Sequence, residues 1–165
     1  MSDGVKRGDP IPDVTVTDGP GAVPLRSLVG GWAVIYFYPK DDTSGCTREA
    51  QDFTALTSEF EAAGVQVVGL SKDDAASHEK FAAKYDLRVR LLSDESGAAC
   101  EAFGVWVEKS MYGRKYMGVE RATFLFDAQG LLVQEWRKVK VPGHAQAVLA
   151  AAKGGGDATD GRTVR

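Results

Sequence analysis

Cys46 lies in the segment of the sequence that is best suited to chemistry, the polar stretch 39–50. An apolar run precedes this stretch and a segment of helical periodicity follows it, so Cys46 falls where a buried strand ends and a helix begins. If Thr43 is the N-cap, Cys46 is the third helical residue, where backbone N–H groups lack intrahelical partners and the helix dipole is positive. Both features favour a thiolate, which is a nucleophile.

Thiolate supply alone is a modest catalyst. A cysteine whose pKa falls from about 8.5 to about 6 gains about thirtyfold in thiolate at neutral pH. Larger gains need groups that position the electrophile and stabilise its leaving oxygen, and the Thr43 hydroxyl can serve a small polar substrate. The alternative interpretation is that Cys46 only packs at the helix start and that Thr43 is a plain N-cap. The polar surroundings and Gly45 favour the functional interpretation.

Short β-rich runs alternate with segments of helical periodicity, which predicts an α/β fold. We expect a mixed sheet of about five main strands flanked by helices. The predicted strands include an N-terminal hairpin around 14–17, then 32–38, 65–70, 89–92, a β-excursion over 105–118, and an antiparallel pair at 123–126 and 131–136. The predicted helices are 44–63, 74–85, 94–103 and 143–152. Residues 1–153 should form one domain, and residues 154–165 a disordered Gly-rich polar tail.

Composition excludes several classes of protein. The 165 residues carry 20 Lys+Arg against 23 Asp+Glu, a balance that argues against nucleic acid or an anionic membrane as a partner. The first residues lack the apolar core of a secretory signal, so we expect a cytoplasmic protein. Two cysteines make neither a disulfide framework nor a zinc site, and we expect no metal or organic cofactor. His78 and His144 have no ligand-like neighbours and are expected on the surface.

The chain resembles the peroxiredoxins, in particular the bacterioferritin comigratory protein or peroxiredoxin Q group. The family motif Pro-x-x-x-Thr-x-x-Cys stands here as Pro39, Thr43 and Cys46, inside the similar run 36–47. The resemblance continues through 103–113 and 121–127 and covers roughly residues 6–152. It implies a thioredoxin-like fold with an N-terminal β-hairpin. The sequence holds no Cys-x-x-Cys motif, which excludes thioredoxin-type disulfide exchange.

The resemblance also implies roles for individual residues. Cys46 would be the peroxidatic cysteine, Thr43 would hydrogen-bond the peroxide, and Pro39 would shield the thiolate. Arg121 matches the family's active-site arginine, whose guanidinium would hold the thiolate and polarise the peroxide. Glu49, one helical turn after the cysteine, could join a network with an arginine, but an exposed surface charge is the favoured interpretation.

The chain departs from its relatives at the resolving cysteine, the second thiol that forms a disulfide with the peroxidatic one. Many members of the group place it five residues after the first, where this chain has Gln51. Others place it in the following helix, where Ala82 and Ala83 stand. Cys100 is the only other thiol. We favour a buried structural role for Cys100, with an unusual resolving thiol or an incidental exposed one as alternatives.

These observations together predict a cytoplasmic, thioredoxin-dependent type of thiol peroxidase. It would reduce hydrogen peroxide and alkyl hydroperoxides through a sulfenic acid on Cys46, in a one-Cys cycle resolved by an external thiol. The reductant would be thioredoxin, glutaredoxin or a small thiol, and the protein a monomer or weak dimer. The alternative function is a peroxide-sensing redox relay that uses the same cysteine. A third interpretation, a binding module with an inactive site, is disfavoured by the intact motif.

Overall fold

The computed structural model describes residues 4–155. The strands in this range are β1 (Thr15–Asp18), β2 (Gly21–Pro24), β3 (Trp32–Phe37), β4 (Val65–Ser71), β5 (Arg90–Ser93), β6 (Trp106–Met111), β7 (Arg114–Val119), β8 (Ala122–Phe126) and β9 (Leu132–Trp136). The helices are α1 (Ser44–Ala55), α2 (Thr57–Ala62), α3 (Ala75–Tyr85), α4 (Ala98–Ala102) and α5 (His144–Gly155), with a short 3-10 helix at Leu25–Leu28. This order of strands and helices confirms the α/β prediction.

Seven of the described strands form one mixed sheet in the order β2-β1-β5-β4-β3-β8-β9. The apolar strand β3 lies near its centre, parallel to β4 and antiparallel to β8. The predicted number of about five strands is therefore too low. The N-terminal hairpin joins the main sheet because β1 pairs with β5 at Thr17 and Ser93. Strands β6 and β7 form a separate two-stranded sheet.

The sheet separates two apolar cores, because successive side chains of a strand point to opposite faces. Ile35 and Phe37 pack into one core, which we call the Phe103 core, whereas Val34 and Tyr36 pack into the other, the Phe53 core. The Phe103 core also contains Leu70, Leu92, Cys100, Phe124 and Phe126. The Phe53 core also contains Cys46, Phe60, Phe81, Leu125 and Val148. The two cysteines thus lie in cores on opposite faces of the sheet.

The single helix predicted over 44–63 is interrupted at Leu56. There the backbone leaves the helical region (φ −103°, ψ 9°), and the Leu56 N–H turns back to the Phe53 carbonyl at 3.0 Å. Thr57 Oγ1 donates to the same carbonyl at 3.4 Å. The chain then restarts as α2, which allows Phe60 to be buried beside Phe53, with ring centroids 5.9 Å apart.

Two further helices differ in length from the predictions. Helix α4 starts only after Gly97, which has a left-handed backbone (φ +84°), and Asp94 upstream accepts hydrogen bonds from the first turn. Helix α5 continues through Gly155, so residues 154 and 155 are helical rather than part of the predicted tail. Residues 156–165 of that tail lie outside the described residues. Within residues 4–155, every helix is too short or too polar to cross a membrane.

Candidate active site

The pairing of β3 with β8 brings two distant segments to one edge of the sheet. Phe37, the last residue of β3, pairs with Ala122, the first residue of the antiparallel β8. The loop that leaves β3 and the residue that precedes β8 therefore emerge side by side. Carboxyl ends of parallel strands, such as those of β3 and β4, form the usual edge for a site in an α/β sheet.

Cys46 is the third residue of α1, as predicted, with Thr43 as the N-cap. The Thr43 carbonyl accepts the first helical hydrogen bond, from the Thr47 N–H at 2.8 Å. The Thr43 hydroxyl does not cap the helix but donates to the Lys40 carbonyl at 2.8 Å. Its oxygen lone pairs therefore stay available at an exposed position, while Pro39 in the same loop is half-buried.

Arg121 reaches from the edge of β8 to both Cys46 and Glu49. Its Nη2 donates to Cys46 Sγ at 3.4 Å, and its Nη1 donates to Glu49 Oε1 at 2.7 Å. Gly45 makes this approach possible, because a Cβ at that position would lie 3.0 Å from Nη2. The forked guanidinium thus connects the thiol to a buried carboxyl group.

Glu49 is buried, with 1% of its surface exposed, so the favoured prediction of an exposed surface charge is wrong. The helix turns this side chain toward the sheet, and Arg121, which is 72 positions away, supplies its partner. Burial raises the pKa of Glu49 to about 7, although the charge of Arg121 and its hydrogen bond partly offset this effect. The second oxygen, Oε2, is buried and has no hydrogen-bond partner among residues 4–155.

Two histidines expected on the surface are also buried. His78 is 5% exposed, and its ring nitrogens contact Asp41 in the loop after β3 and the Leu92 carbonyl on β5. His144 is 7% exposed and lies 2.8 Å from the Thr123 hydroxyl. Burial lowers the pKa of His144 to about 4, with a further contribution from the charge of Arg121, so this ring is neutral at physiological pH.

Asp41 and His78 form a pair that the sequence did not indicate, because they lie on different elements and neither has a local pattern that marks it. The signal that could have found them is the pair of adjacent aspartates, 41 and 42, in the same loop as the cysteine. Lys109 on β6 was likewise not indicated by the sequence. Burial lowers the pKa of Lys109, and so does the positive charge of Arg121, which places Lys109 in the electrostatic environment of the site.

Cys100 is separated from these residues by the central sheet, and its surroundings are different. It is fully buried in the Phe103 core, which confirms the predicted burial. Burial raises its pKa, and the neighbouring carboxylate of Asp94 raises it further. A thiol in such surroundings stays protonated and unreactive. The described residues contain no cluster of side chains suited to hold a metal ion.

The geometry supports one kind of chemistry, which is nucleophilic attack by a sulfur atom. The cation of Arg121 and the start of helix α1 stabilise the negative charge of this sulfur. Comparison with known proteins identifies the reaction class. The sequence model of the AhpC/TSA family matches residues 7–135. This chain is a peroxiredoxin of that family.

Individual relatives narrow the assignment within the peroxiredoxins. Peroxiredoxin Bcp of Xanthomonas campestris is 54% identical over 129 residues, which cover 78% of this chain and 81% of the relative. Peroxiredoxin Bcp of Bacillus subtilis is 41% identical over 150 residues, 90% of this chain and 96% of the relative. A solved structure of the Xanthomonas campestris bacterioferritin comigratory protein, described for its alkyl peroxide reduction activity, is 47% identical. It matches with a TM-score of 0.82 and covers 90% of this chain and 96% of its own.

The peroxiredoxin is thus a thiol peroxidase with the thioredoxin-like fold that the sequence predicts. The structure brings five of the six predicted site residues to one edge of the sheet. They are Pro39, Thr43, Cys46, Glu49 and Arg121. It places the sixth, Cys100, on the opposite face.

Proposed function

We propose that this peroxiredoxin reduces hydrogen peroxide and alkyl hydroperoxides with Cys46 as the attacking group. The observation that carries the proposal is the 3.4 Å contact between Arg121 Nη2 and Cys46 Sγ at the first turn of α1. The thiolate attacks the terminal oxygen of the hydroperoxide and the O–O bond breaks. The sulfur becomes a sulfenic acid, and the departing oxygen takes a proton and leaves as water or an alcohol.

Each neighbouring side chain has a different role in this step. Arg121 stabilises the negative charge that moves from sulfur to the departing oxygen, with donors that are already in place before the reaction. Glu49 fixes the plane of the guanidinium through its 2.7 Å contact with Nη1. The exposed oxygen of Thr43 accepts the hydroxyl proton of the bound peroxide and so orients it. Pro39, which is half-buried in the same loop, would shield the thiolate as the resemblance implies.

The choice of alkyl hydroperoxides rests on the relative from Xanthomonas campestris. Its reported activity is alkyl peroxide reduction, and its sequence and fold match this chain over nine-tenths of its length. Cys46 is only 1% exposed, so a narrow approach at the helix start suits a terminal –OOH group better than a bulky electrophile.

The positions of the thiols support a one-Cys cycle. Gln51, Ala82 and Ala83 occupy the places where related enzymes have a resolving cysteine. Cys100 and Cys46 are buried on opposite faces of the sheet, so a disulfide between them would require extensive unfolding. An external thiol therefore attacks the sulfenic acid, releasing water and forming a mixed disulfide. A second thiol then attacks the external sulfur of the mixed disulfide, which releases the Cys46 thiolate and leaves the two external thiols joined as a disulfide.

Turnover tests this proposal against the alternative of a peroxide-sensing relay. With excess dithiothreitol as reductant, the wild type should consume many equivalents of cumene hydroperoxide per chain, and Cys46→Ser should consume none. Cys100→Ser is the matched control, because it removes the other thiol. Consumption that stops at about one equivalent would support a sensor, and activity in Cys46→Ser would refute the assignment of the nucleophile.

A further inference from the structure

A buried polar cluster outside the reacting groups holds the loop that leads into α1. Asp41 in this loop is 7% exposed. Its Oδ1 accepts a hydrogen bond from the Tyr38 hydroxyl at 2.6 Å, and its Oδ2 accepts one from the Ser77 hydroxyl at 2.8 Å. The Oδ2 atom also lies 2.7 Å from Nδ1 of His78 on α3. One carboxylate thus joins the loop to two residues of α3.

The contacts of His78 define its protonation. Its Nε2 lies 2.9 Å from the Leu92 carbonyl oxygen, which can only accept a hydrogen bond. Its Nδ1 faces the carboxylate of Asp41 at 2.7 Å, which also accepts. The Tyr38 hydroxyl lies 3.4 Å from the same Nδ1, but it donates its proton to Asp41 Oδ1 at 2.6 Å. Both ring nitrogens therefore donate, and the ring that satisfies both contacts is the positively charged imidazolium.

The charges around the ring agree with this geometry. Burial acts to lower the pKa of His78, but the hydrogen bond and charge of Asp41, the Leu92 carbonyl and the charge of Asp73 raise it above its usual range. Burial also acts to raise the pKa of Asp41, but the hydrogen bonds from His78, Tyr38 and Ser77 hold it below its usual range.

The backbone of the loop connects this cluster to the helix that carries the reacting sulfur. Asp41 lies two residues before Thr43, the N-cap of the helix that carries Cys46. The Asp41 N–H donates to Asp73 Oδ2 at 2.9 Å, so side chain and main chain of this residue are both fixed. A thiol reductant cannot reach the buried sulfur unless this loop and the first turn of α1 move.

We propose that His78 is a positioning residue for Cys46: its charged ring holds Asp41 and keeps the loop 39–43 closed, and release of this pair opens the site to the reducing thiol. The closed loop holds the sulfur against Arg121 for the reaction with peroxide. The open loop exposes the sulfenic acid for reduction. The two half-reactions therefore respond in opposite directions to the strength of the Asp41–His78 pair. This inference rests on the proposed function of Cys46.

The inference includes a pH dependence. Because folding raises the pKa of His78, the pair contributes its full stability below about pH 6.5 and loses it as the pH rises through the raised value. Because folding lowers the pKa of Asp41, the contribution is also lost when the pH falls through that lowered value. The loop should therefore open more readily as the pH rises above neutrality.

Two substitutions of His78, by Asn and by Gln, distinguish the contribution of its contact with Asp41 from that of its contact with Leu92. The amide nitrogen of His78→Asn takes the place of Nδ1 and still donates to Asp41. The amide nitrogen of His78→Gln takes the place of Nε2, so it retains only the contact with Leu92. Asp42→Asn is the matched control, because Asp42 belongs to the same loop but binds Lys84 and Tyr85 at an exposed position.

Hydrogen exchange of the amides of residues 41–47, measured by mass spectrometry on the reduced full chain, reports loop opening without any use of catalysis. At about pH 6, His78→Gln should raise the opening equilibrium by about tenfold or more, because it breaks a hydrogen bond between charged groups. His78→Asn should raise it less, and Asp42→Asn by less than about twofold. Protection of the wild-type loop should decrease toward about pH 9, and this decrease should be absent in His78→Gln.

Rates of the two half-reactions supply the second readout. His78→Gln should slow oxidation of Cys46 by peroxide and should speed the reaction of its sulfenic acid with the bulky thiolate of thionitrobenzoate. Equal exchange in the Asn and Gln variants, or a slowing of both half-reactions in proportion to the lost free energy of unfolding, would overturn the inference. If His78→Gln does not fold, Asp41→Asn gives the same comparison. If Cys46 is not oxidised at all, the proposed function fails while hydrogen exchange still tests the role of His78.

Discussion

Arg121→Lys removes a forked donor from the site but keeps its positive charge. In the structure, two nitrogens of Arg121 act at once, Nη1 on Glu49 at 2.7 Å and Nη2 on Cys46 at 3.4 Å. Lysine has one shorter-reaching nitrogen and cannot make both contacts. The buried carboxyl group of Glu49 is the stronger acceptor, so we expect the lysine to pair with it and to leave the sulfur without a donor.

The expected decrease in the rate constant follows from the loss of the hydrogen bond between Arg121 and the sulfur of Cys46. A hydrogen bond to a charged group contributes about 1.5–3 kcal/mol, which corresponds to a rate constant lower by about 10- to 150-fold if the contact persists in the transition state. If Arg121→Lys changed only the fraction of thiolate, the wild type and the variant would react equally fast at high pH, where the thiol is ionised in both. The loss through the transition state would remain there.

Single-turnover oxidation by hydrogen peroxide, measured by quenched flow across a pH series, separates the two effects. We expect Arg121→Lys to lower the high-pH plateau by at least about tenfold. Arg48→Lys is the matched control, because Arg48 is an exposed arginine on helix α1 and pairs with the carboxylate of Asp52. An unchanged plateau with a shifted midpoint would show that Arg121 acts on ionisation alone and would refute its role at the departing oxygen.

Three further outcomes are expected. Because burial raises the pKa of Glu49 to about 7, the free energy of unfolding should fall by at most about 3 kcal/mol between about pH 4.5 and about pH 7, and urea titrations should show a smaller fall in Glu49→Gln. Cys100→Ser should keep most of the peroxidase activity in a steady-state assay, and a large loss would point to a resolving role. Phe103→Ala, which leaves a cavity among the rings of Phe37 and Phe124, should lower the free energy of unfolding by about 3–5 kcal/mol in the same titrations, and a loss below about 1 kcal/mol would contradict the packing.

The sequence was sufficient for features that depend on neighbouring residues. The apolar run 32–38 identifies a central strand, and the structure forms it over Trp32–Phe37. The N-cap at Thr43 and the position of Cys46 in the first turn also follow from the local pattern of polar and helix-forming residues. Arg121 is different, because only the family resemblance indicated it. Its role depends on the strand register that brings it beside the cysteine.

Features that depend on distant contacts were not predictable from patterns. Glu49 looks like a surface residue because a carboxylate in a helix is normally solvated, and the sequence does not show that Arg121 will meet it in the interior. His78 looks exposed because it has no ligand-like neighbours in the sequence, whereas Asp41 and the Leu92 carbonyl supply its partners in the folded protein. The number of strands was underestimated because a hairpin pattern does not reveal which sheet edge it will join.

Cys46 should be the residue that becomes a sulfenic acid when the protein reacts with peroxide, and Cys100 should not. Dimedone, which traps sulfenic acids, should be added after one equivalent of hydrogen peroxide, followed by peptide mass spectrometry. We predict one adduct, on the peptide that contains Cys46, with Cys100 recovered as a free thiol. An adduct on Cys100, or a Cys46–Cys100 disulfide as the main product, would contradict the account.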